Sequence, residues 1–253
     1  MFITMEEFNL LTSPQVTQVN RTIYTYNGFF NYANAKQNSD DALVIGTATH
    51  EIINFIEESL HTSRNSNPDA VHHSTLLKLH TGSIKTYLPA IVREERLRPT
   101  IVHCISSFVD WRFKHLDWDV TYSESAIKHE IQSSYNINEI PHKFQYRGII
   151  DAIYTKPDNT KVLVDYKTSA KISDEYLLQL MAYYIALPND VKQTTKEVGI
   201  LRLDKKRAIV DFITTTIDKP IALYSEKLFT RALEAMYLKQ MIKDEMISFK
   251  IGD

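Results

Sequence analysis

The clearest alternation of apolar and polar positions lies between residues 146 and 168. Two runs rich in β-branched and aromatic residues, 146–155 and 161–168, flank a short segment that contains Pro157, Asp158 and Asn159. Runs of this composition form strands, and Pro, Asp and Asn favour the turn between them. The pattern therefore predicts a β-hairpin.

Directly after this hairpin, the spacing of apolar residues changes from two to three or four. Ser173, followed by two acidic residues, is typical of the start of a helix. The apolar positions that then recur at helical spacing are Leu177, Leu178, Met181, Ala182 and Ile185. The spacing predicts a helix that packs one face against the sheet.

Helical spacing recurs in the segments 42–60, 99–116 and 218–247, and a short helix is predicted over 5–11. The polar run 61–69 predicts a loop. Alternation predicts a strand over 19–26, one long strand or a strand pair over 117–132, and a second hairpin from 198–204 and 208–214. Together these elements predict an α/β fold in which helices flank a mixed central sheet.

Three polar residues interrupt the apolar runs of the first hairpin. Residues two apart on a strand point to the same face, so Asp165 and Lys167 share one side, while Val164 and Tyr166 face the other. If the hairpin pairs the middles of its strands, Asp151 lies close to Asp165, and two facing carboxylates repel unless a cation separates them. Mg²⁺ or Mn²⁺ is the natural cation, and Lys167 would stand beside the water that it activates.

These residues resemble the motifs of the PD-(D/E)XK nuclease superfamily and, within it, the RecB-like exonucleases. The matching residues are Gly148, Ile149, Ile150 and Asp151, then Asp165, Tyr166 and Lys167, then Gln179 and Tyr183, with Gly46, Thr47 and His50 upstream as Gly-Thr-x-x-His. Ile150 replaces the proline of the family name, and Asp165 stands where many members have Glu. The run from Ser13 to Thr17 is similar to the start of phage and mitochondrial genome maintenance exonucleases.

The resemblance implies a restriction-endonuclease-like sheet. It also implies one nuclease domain over 1–253, with a helical portion at about 40–116 and a catalytic core at about 117–250. By the same resemblance, one or two Mg²⁺ or Mn²⁺ ions would be held by His50, Asp151, Asp165 and the backbone carbonyl of Tyr166. Lys167 would orient or deprotonate the attacking water. Gln179 and Tyr183 would position the DNA strand or Lys167.

An additional acid that binds or orients a second metal ion is common in RecB-like exonucleases. Glu124 lies at about the expected distance before the Asp151 motif, and Glu130 competes with it. Taken singly, each of these residues also has an ordinary structural interpretation. Asp151 and Lys167 would form a cross-strand ion pair, His50 would be a core histidine bonded to a carbonyl, and both glutamates would face solvent.

Charge and cysteine content narrow the class of protein further. The formal net charge is −2, so DNA contacts must come from a local patch or from metal ions. The tip of the second predicted hairpin, Lys205, Lys206 and Arg207, is one such patch. A single cysteine, Cys104, excludes a four-cysteine iron–sulfur cluster and points to a reducing compartment. Without a membrane-length apolar run or a signal segment, the expected location is the cytoplasm of a bacterial cell or a phage-infected host.

The function expected from this pattern is a metal-dependent DNA exonuclease in recombination, repair or replication. Its substrate would be single-stranded DNA or a duplex end, and a recombination or replication protein is a possible partner. The alternative is a catalytically inactive nuclease-fold protein that binds DNA or assists assembly. The low glycine content and the richness in Asn, Lys, Ile and Tyr suit an AT-rich genome such as that of a phage.

Overall fold

The computed structural model describes residue 2 and residues 13–19, 40–67, 73–137, 140–173, 175–207 and 209–251. Within the described residues 40–67 and 73–113, four α-helices precede the sheet: α1 (Asp40–Ser66), α2 (His73–Gly82), α3 (Leu88–Ile91) and α4 (Arg98–Phe113). A π-helical turn, Ser83–Tyr87, joins α2 to α3, and a 3-10 turn, Glu95–Leu97, precedes α4. The remaining elements are β1 (Asp119–Ile137), β2 (Ile140–Thr155), β3 (Lys161–Lys167), α5 (Glu175–Ala186), α6 (Asn189–Thr194), β4 (Thr195–Leu203), β5 (Val210–Thr216) and α7 (Pro220–Ile251).

The five strands form one mixed sheet in the order β1-β2-β3-β4-β5. Strand β3 pairs with β4 in parallel, and the other three pairs of neighbours are antiparallel. The crossover from β3 to β4 runs through α5 and α6, as a parallel pair requires. Because α5 begins shortly after β3, its first turns lie near the carboxyl end of that strand.

Helices cover both faces of the sheet, so the expected α/β architecture is confirmed. On one face, α1 and α4 pack against the sheet around Ile52, Phe108 and Tyr154. On the other face, α5 and α7 pack around Met181 and Phe229. The central strands β2, β3 and β4 therefore bury apolar residues on both sides, which accounts for the nearly continuous burial of β3.

The largest difference from the sequence prediction is at the end of α1. The helix continues through Ser66, so the loop predicted over 61–69 is wrong for its first six residues, 61–66. The hydroxyls of Thr62, Ser63 and Ser66 donate to carbonyls one turn earlier, at 2.8, 2.8 and 2.9 Å. Their hydrogen bonds are therefore made within the helix, and the helix does not have to end there. Arg64 also fixes this turn to the sheet, because it donates to Asp119 at 2.8 Å.

The other boundaries are close to those predicted. For the segment 117–132, one long strand is correct rather than a strand pair, and that strand, β1, begins at Asp119. The predicted helix over 5–11 lies outside the described residues, as does the predicted strand over 19–26 apart from Val19, which ends a helical turn at 16–19. Among the described residues, no helix combines the length and apolarity needed to span a membrane. That residues 1–253 form one domain, with portions at about 40–116 and 117–250, stays a prediction.

Candidate active site

Three side chains from three elements meet at the edge of the sheet beside α1. His50 Nδ1 lies 3.3 Å from Asp151 Oδ1 and 3.7 Å from Glu124 Oε1. One potential ligand atom from each residue lies within 4.8 Å of the other two. We call His50, Glu124 and Asp151 the acidic triad. Two carboxylates and an imidazole at this separation form a donor set that suits a divalent ion.

The pairing of β1 with β2 is irregular where these strands present the two acids. The register pairs Ser123 with Ala152 and Ser125 with Ile150, which places Glu124 opposite Asp151. Glu124 has a φ of 43°, a left-handed conformation that is unfavourable for a non-glycine residue within a strand. Strain of this kind persists only when the surrounding structure holds it, and it is common at functional sites.

Side-chain alternation along β2 changes phase at the same point. Ile150 and Ile153 both pack on the side of α5 and α7, whereas Ala152 and Tyr154 pack on the side of α1 and α4. A regular strand cannot place residues three apart on one face. The change of phase at Asp151 lets its carboxylate reach His50 of α1 while the rest of the strand remains packed in the core.

A second group of side chains extends from the end of β3 to α5. Lys167 Nζ donates to Asp165 Oδ1 at 2.8 Å and lies 2.6 Å from Oδ2. It also donates to Gln179 Oε1 at 3.3 Å, and Gln179 Nε2 donates to the Tyr183 hydroxyl at 2.8 Å. The ring of Tyr183 lies against Gly148, where a Cβ would come within 2.5 Å of Tyr183 Cε1. We call Asp165, Lys167, Gln179 and Tyr183 the lysine chain.

The backbone of Tyr166 joins the acidic triad to the lysine chain. Its N–H donates to Asp151 Oδ2 at 2.6 Å, while its side chain lies in the core on the side of α1 and α4. The regular pairing of β2 with β3 ends at Ala152 and Val164, so Asp151 and Asp165 follow directly beyond the last pair. The predicted placement of Val164 and Tyr166 opposite Asp165 and Lys167 agrees with this arrangement.

The charged groups of the site perturb one another strongly. Burial disfavours the protonated form of His50, but the carboxylates of Asp151 and Glu124 outweigh burial and raise the pKa of His50 to about 10. Burial raises the pKa of Asp165 to about 6, with a further contribution from Asp151, although Lys167 opposes the shift. Burial lowers the pKa of Lys167, but Asp165 and Asp151 overcome this effect and raise it above the usual value. Lys167 is therefore an ammonium group at neutral pH.

The environment of Asp165 supports the fit of a cation. Its carboxylate is 1% exposed, and Oδ2 lies 2.6 Å from the Lys167 ammonium but accepts no hydrogen bond of good geometry from the described residues. A buried carboxylate oxygen with spare acceptor capacity is costly without a further partner. Together with the acidic triad, this oxygen provides the hard ligands that Mg²⁺ and Mn²⁺ take.

An open cleft of about 560 Å³ runs along α1 beside the acidic triad. His50 and Glu124 lie on its wall. Its other lining residues are Ala42, Leu43, Gly46, Thr47, Glu51 and Asn54. The cleft gives the triad access to solvent.

The sequence model of the PD-(D/E)XK nuclease superfamily matches residues 24–247 of the chain. The chain belongs to this superfamily. Nuclease activity, DNA as the substrate and a divalent metal ion are what membership implies. The solved structure of SSO0001 has 11% sequence identity with this chain and a TM-score of 0.33, and the match covers 73% of this chain and 86% of SSO0001. A comparison with curated proteins finds no match.

In this member of the PD-(D/E)XK nuclease superfamily, the side chains predicted to be catalytic or to bind metal fall into the two groups described above. The two competing acids are clearly separated, since Glu130 pairs with Lys143 at 2.8 Å and with Gln145 at 3.1 Å, whereas Glu124 belongs to the acidic triad. Lys205, Lys206 and Arg207 lie apart, at the turn between β4 and β5. Tyr166 pairs with Leu201 of β4, and the role of its carbonyl as a metal ligand stays a prediction.

Two residues of the candidate site were not predicted from the sequence. The Asn54 amide oxygen accepts a hydrogen bond from Ser123 at 2.5 Å, which ties β1 to α1 next to Glu124. Its position four residues after His50, on the same helix face, was the available signal. Tyr176 lies under Lys167, with the ring centroid 5.0 Å from Nζ, and no sequence pattern indicated this contact.

Proposed function

We propose that this PD-(D/E)XK nuclease is a Mg²⁺- or Mn²⁺-dependent DNA exonuclease of the RecB-like branch that acts in recombination, repair or replication. The observation that carries the proposal is the contact of His50 with Asp151 and Glu124. An upstream histidine within Gly-Thr-x-x-His resembles the pattern of that branch, and here it lies against the carboxylates of the nuclease motif. A core histidine bonded to a carbonyl would not have this environment.

The residues proposed to hold the ion or ions are His50, Glu124, Asp151 and Asp165, together with the Tyr166 carbonyl. When bound, the metal supplies Lewis-acid polarisation of the scissile phosphate and a more acidic water. Because each ligand except the imidazole is an oxygen, Mg²⁺ and Mn²⁺ both suit the set, and the imidazole favours Mn²⁺.

Lys167 is proposed to orient the attacking water rather than to remove its proton. The neighbouring acids hold it in the ammonium form, which donates hydrogen bonds and cannot accept one. The same charge offsets the negative charge that develops on the phosphate oxygens. Gln179 and Tyr183 position Lys167 through the bonds of the lysine chain.

The basic tip, defined as Lys205, Lys206 and Arg207, is proposed to contact the DNA backbone. Asp204 Oδ1 accepts bonds from the backbone N–H groups of Lys206 at 2.8 Å and Arg207 at 2.9 Å, which fixes the turn. The parallel strands β3 and β4 end at the same edge of the sheet, with Lys167 opposite Arg202. The basic tip therefore follows the strand next to Lys167, at the edge where the lysine chain begins.

The test is digestion of end-labelled linear DNA, single-stranded and double-stranded, with a circular duplex of the same sequence. Each substrate is incubated with Mg²⁺, with Mn²⁺ and with EDTA. We expect metal-dependent loss of label from linear DNA, with the circle intact, and the end that is lost first gives the polarity. Cleavage of the circle would overturn the exonuclease assignment.

Variants connect the activity to the site. Asp165→Ala and Lys167→Ala are expected to abolish cleavage, whereas Glu130→Ala, which removes an acid from the same sheet outside the triad, is expected to retain it. Undiminished cleavage by Lys167→Ala would contradict the assigned mechanism. DNA binding without cleavage in every metal would favour the inactive DNA-binding alternative.

A further inference from the structure

A buried ion pair lies beneath the acidic triad, between α1 and α4. Arg112 Nε donates to Glu57 Oε1 at 2.7 Å, and the two side chains are 1% and 0% exposed. The guanidinium also donates to the carbonyl of Trp118 at 2.9 Å and to that of His115. Glu57 Oε2 accepts no hydrogen bond from the described residues. Nothing in the nuclease mechanism above uses this pair.

Two buried tyrosines continue the pair into the sheet. The Tyr154 hydroxyl donates to Glu57 Oε1 at 3.0 Å, and the hydroxyls of Tyr154 and Tyr166 are 2.5 Å apart. Both tyrosines are fully buried. The network therefore connects helices α1 and α4 with strands β2 and β3 through polar groups that water does not reach.

The network ends at two members of the acidic triad. The ring of His50 meets the ring of Tyr166 edge to face, with centroids 5.8 Å apart and an interplanar angle of 79°. The backbone N–H of Tyr166 donates to Asp151 at 2.6 Å. Glu57 lies two turns after His50 on α1, so the network fixes this helix directly below the histidine.

Joining a helix to a sheet through a buried ion pair has a free-energy cost. Apolar residues of similar volume often serve stability as well or better, because both charges must lose their hydration. An apolar contact tolerates small sliding movements, whereas a chain of directional hydrogen bonds has one geometry. Such a chain suits a position where the separation between helix and sheet must be held constant.

We propose that Glu57 and the Tyr166 hydroxyl are positioning residues that set the distance between His50 and Asp151, and thereby the affinity of the site for its divalent ion. The proposal rests on the metal site of the proposed function. Neither group touches the ion or the substrate. They act through the His50 ring and through the position of α1 against β3.

The simpler alternative is that the network stabilises the fold and does nothing else. Tyr146 provides a matched control, because it is another fully buried tyrosine, and among the described residues its hydroxyl bonds to the Ala182 carbonyl alone, at 2.7 Å. It lies on the opposite face of the sheet, among the residues packed with α5 and α7. Tyr166→Phe and Tyr146→Phe each delete one buried hydroxyl and should cost similar stability.

The experiment measures Mn²⁺ binding to the full chain by electron paramagnetic resonance of free Mn²⁺, for the wild type and for both variants. We expect Tyr166→Phe to raise the Kd about tenfold, at the low end of the range for groups that orient metal ligands from outside the coordination shell. Tyr146→Phe is expected to remain within about twofold of the wild type, because it touches no such ligand. Glu57→Gln should weaken binding at least as much as Tyr166→Phe.

Equal Kd values for Tyr166→Phe, Tyr146→Phe and the wild type would overturn the positioning role and leave the proposed nuclease site standing. Failure of the wild type itself to bind Mn²⁺ would overturn both proposals. If Glu57→Gln does not fold, Tyr166→Phe decides the question alone. A similar loss of Mn²⁺ affinity in Tyr146→Phe would assign the effect to general destabilisation and refute the proposal.

Discussion

Substitution of Gly148 by alanine is the sharpest steric test of the lysine chain. A Cβ at this position would lie 2.5 Å from Tyr183 Cε1, 3.2 Å from Cδ1 of the same ring and 3.2 Å from Val16 Cγ2. Contacts below 3.0 Å do not persist, so the ring or the strand must move. Since Tyr183 is only 4% exposed and its ring extends from α5 onto β2 at Gly148, the ring has little space into which to move.

The expected losses of stability and rate follow from how far the Tyr183 ring must move. The ring must retreat by about 0.9 Å to reach an ordinary contact of 3.4 Å. Overpacking of this size costs about 1–3 kcal/mol of folding free energy. Moving the Tyr183 hydroxyl also disturbs its bond with Gln179, which in turn holds Lys167. Misplacement of a reacting group by about 1 Å costs about a hundredfold in rate, so we expect cleavage to slow by about ten- to a hundredfold.

The assay combines urea unfolding with single-turnover cleavage at saturating metal. Gly82→Ala is the control, because no atom lies within 4 Å of its added Cβ and the residue ends a helix. It should be neutral or slightly stabilising and leave the rate unchanged. Tyr183→Phe removes the hydroxyl alone, and the double variant with Gly148→Ala should be little slower than the slower single variant. A Gly148→Ala enzyme with wild-type rate and stability would refute the reasoning.

Three further predictions rest on individual groups. In the folded, metal-free chain the pKa of His50 is about 10, above the ordinary 6.5. Protonation of His50 therefore stabilises the folded chain. This contribution to the free energy of unfolding is complete below pH 6.5 and is lost as the pH rises through 10. Because an ion must displace that proton, the Kd for Mn²⁺ should fall about tenfold from pH 7 to pH 8, and a pH-independent Kd would contradict this. Glu57→Gln should lower the free energy of unfolding, measured in urea, by about 3 kcal/mol, because it leaves Arg112 buried without its counter-charge. A decrease of less than about 1 kcal/mol would argue against a stabilising ion pair. Burial raises the pKa of the Cys104 thiol to about 11, so a thiol reagent should label it only after unfolding, and labelling of the native chain would show that the surrounding core opens.

Much of the fold follows from sequence patterns because those patterns are local. The hairpin of β2 and β3 was indicated by alternation and by its turn residues, and α5 by the change of spacing after Ser173. The end of α1 was mispredicted for a physical reason. Serines and threonines are typical of loops, yet within a helix their hydroxyls can bond back to the preceding turn, and Arg64 supplies a tertiary anchor that no local pattern reveals.

The site was predictable to the extent that its residues occur in motifs. The order of Asp151, Asp165 and Lys167 on paired strands implied that they lie together, and the structure has them adjacent. The left-handed backbone of Glu124 could not be predicted, because nothing in a strand-like sequence indicates a change of alternation. The contacts of Glu57 with Arg112 were equally hidden, since the two residues lie 55 positions apart and belong to different helices.

The charges around the site favour the proposed cation and explain why His50 carries a proton in the metal-free chain. Glu124, Asp151 and Asp165 contribute three negative charges when ionised, and Lys167 contributes one positive charge. With His50 neutral, the cluster has a formal charge of −2 and would repel a phosphodiester. Protonation of His50 reduces this charge to −1, and the raised pKa of His50 agrees with that effect. One divalent ion brings the formal charge of the cluster to zero. A net electrostatic attraction for DNA then needs a second ion or the positive charge of the basic tip. Because the whole chain is also at −2, attraction for the substrate has to be local, and it depends on the metal.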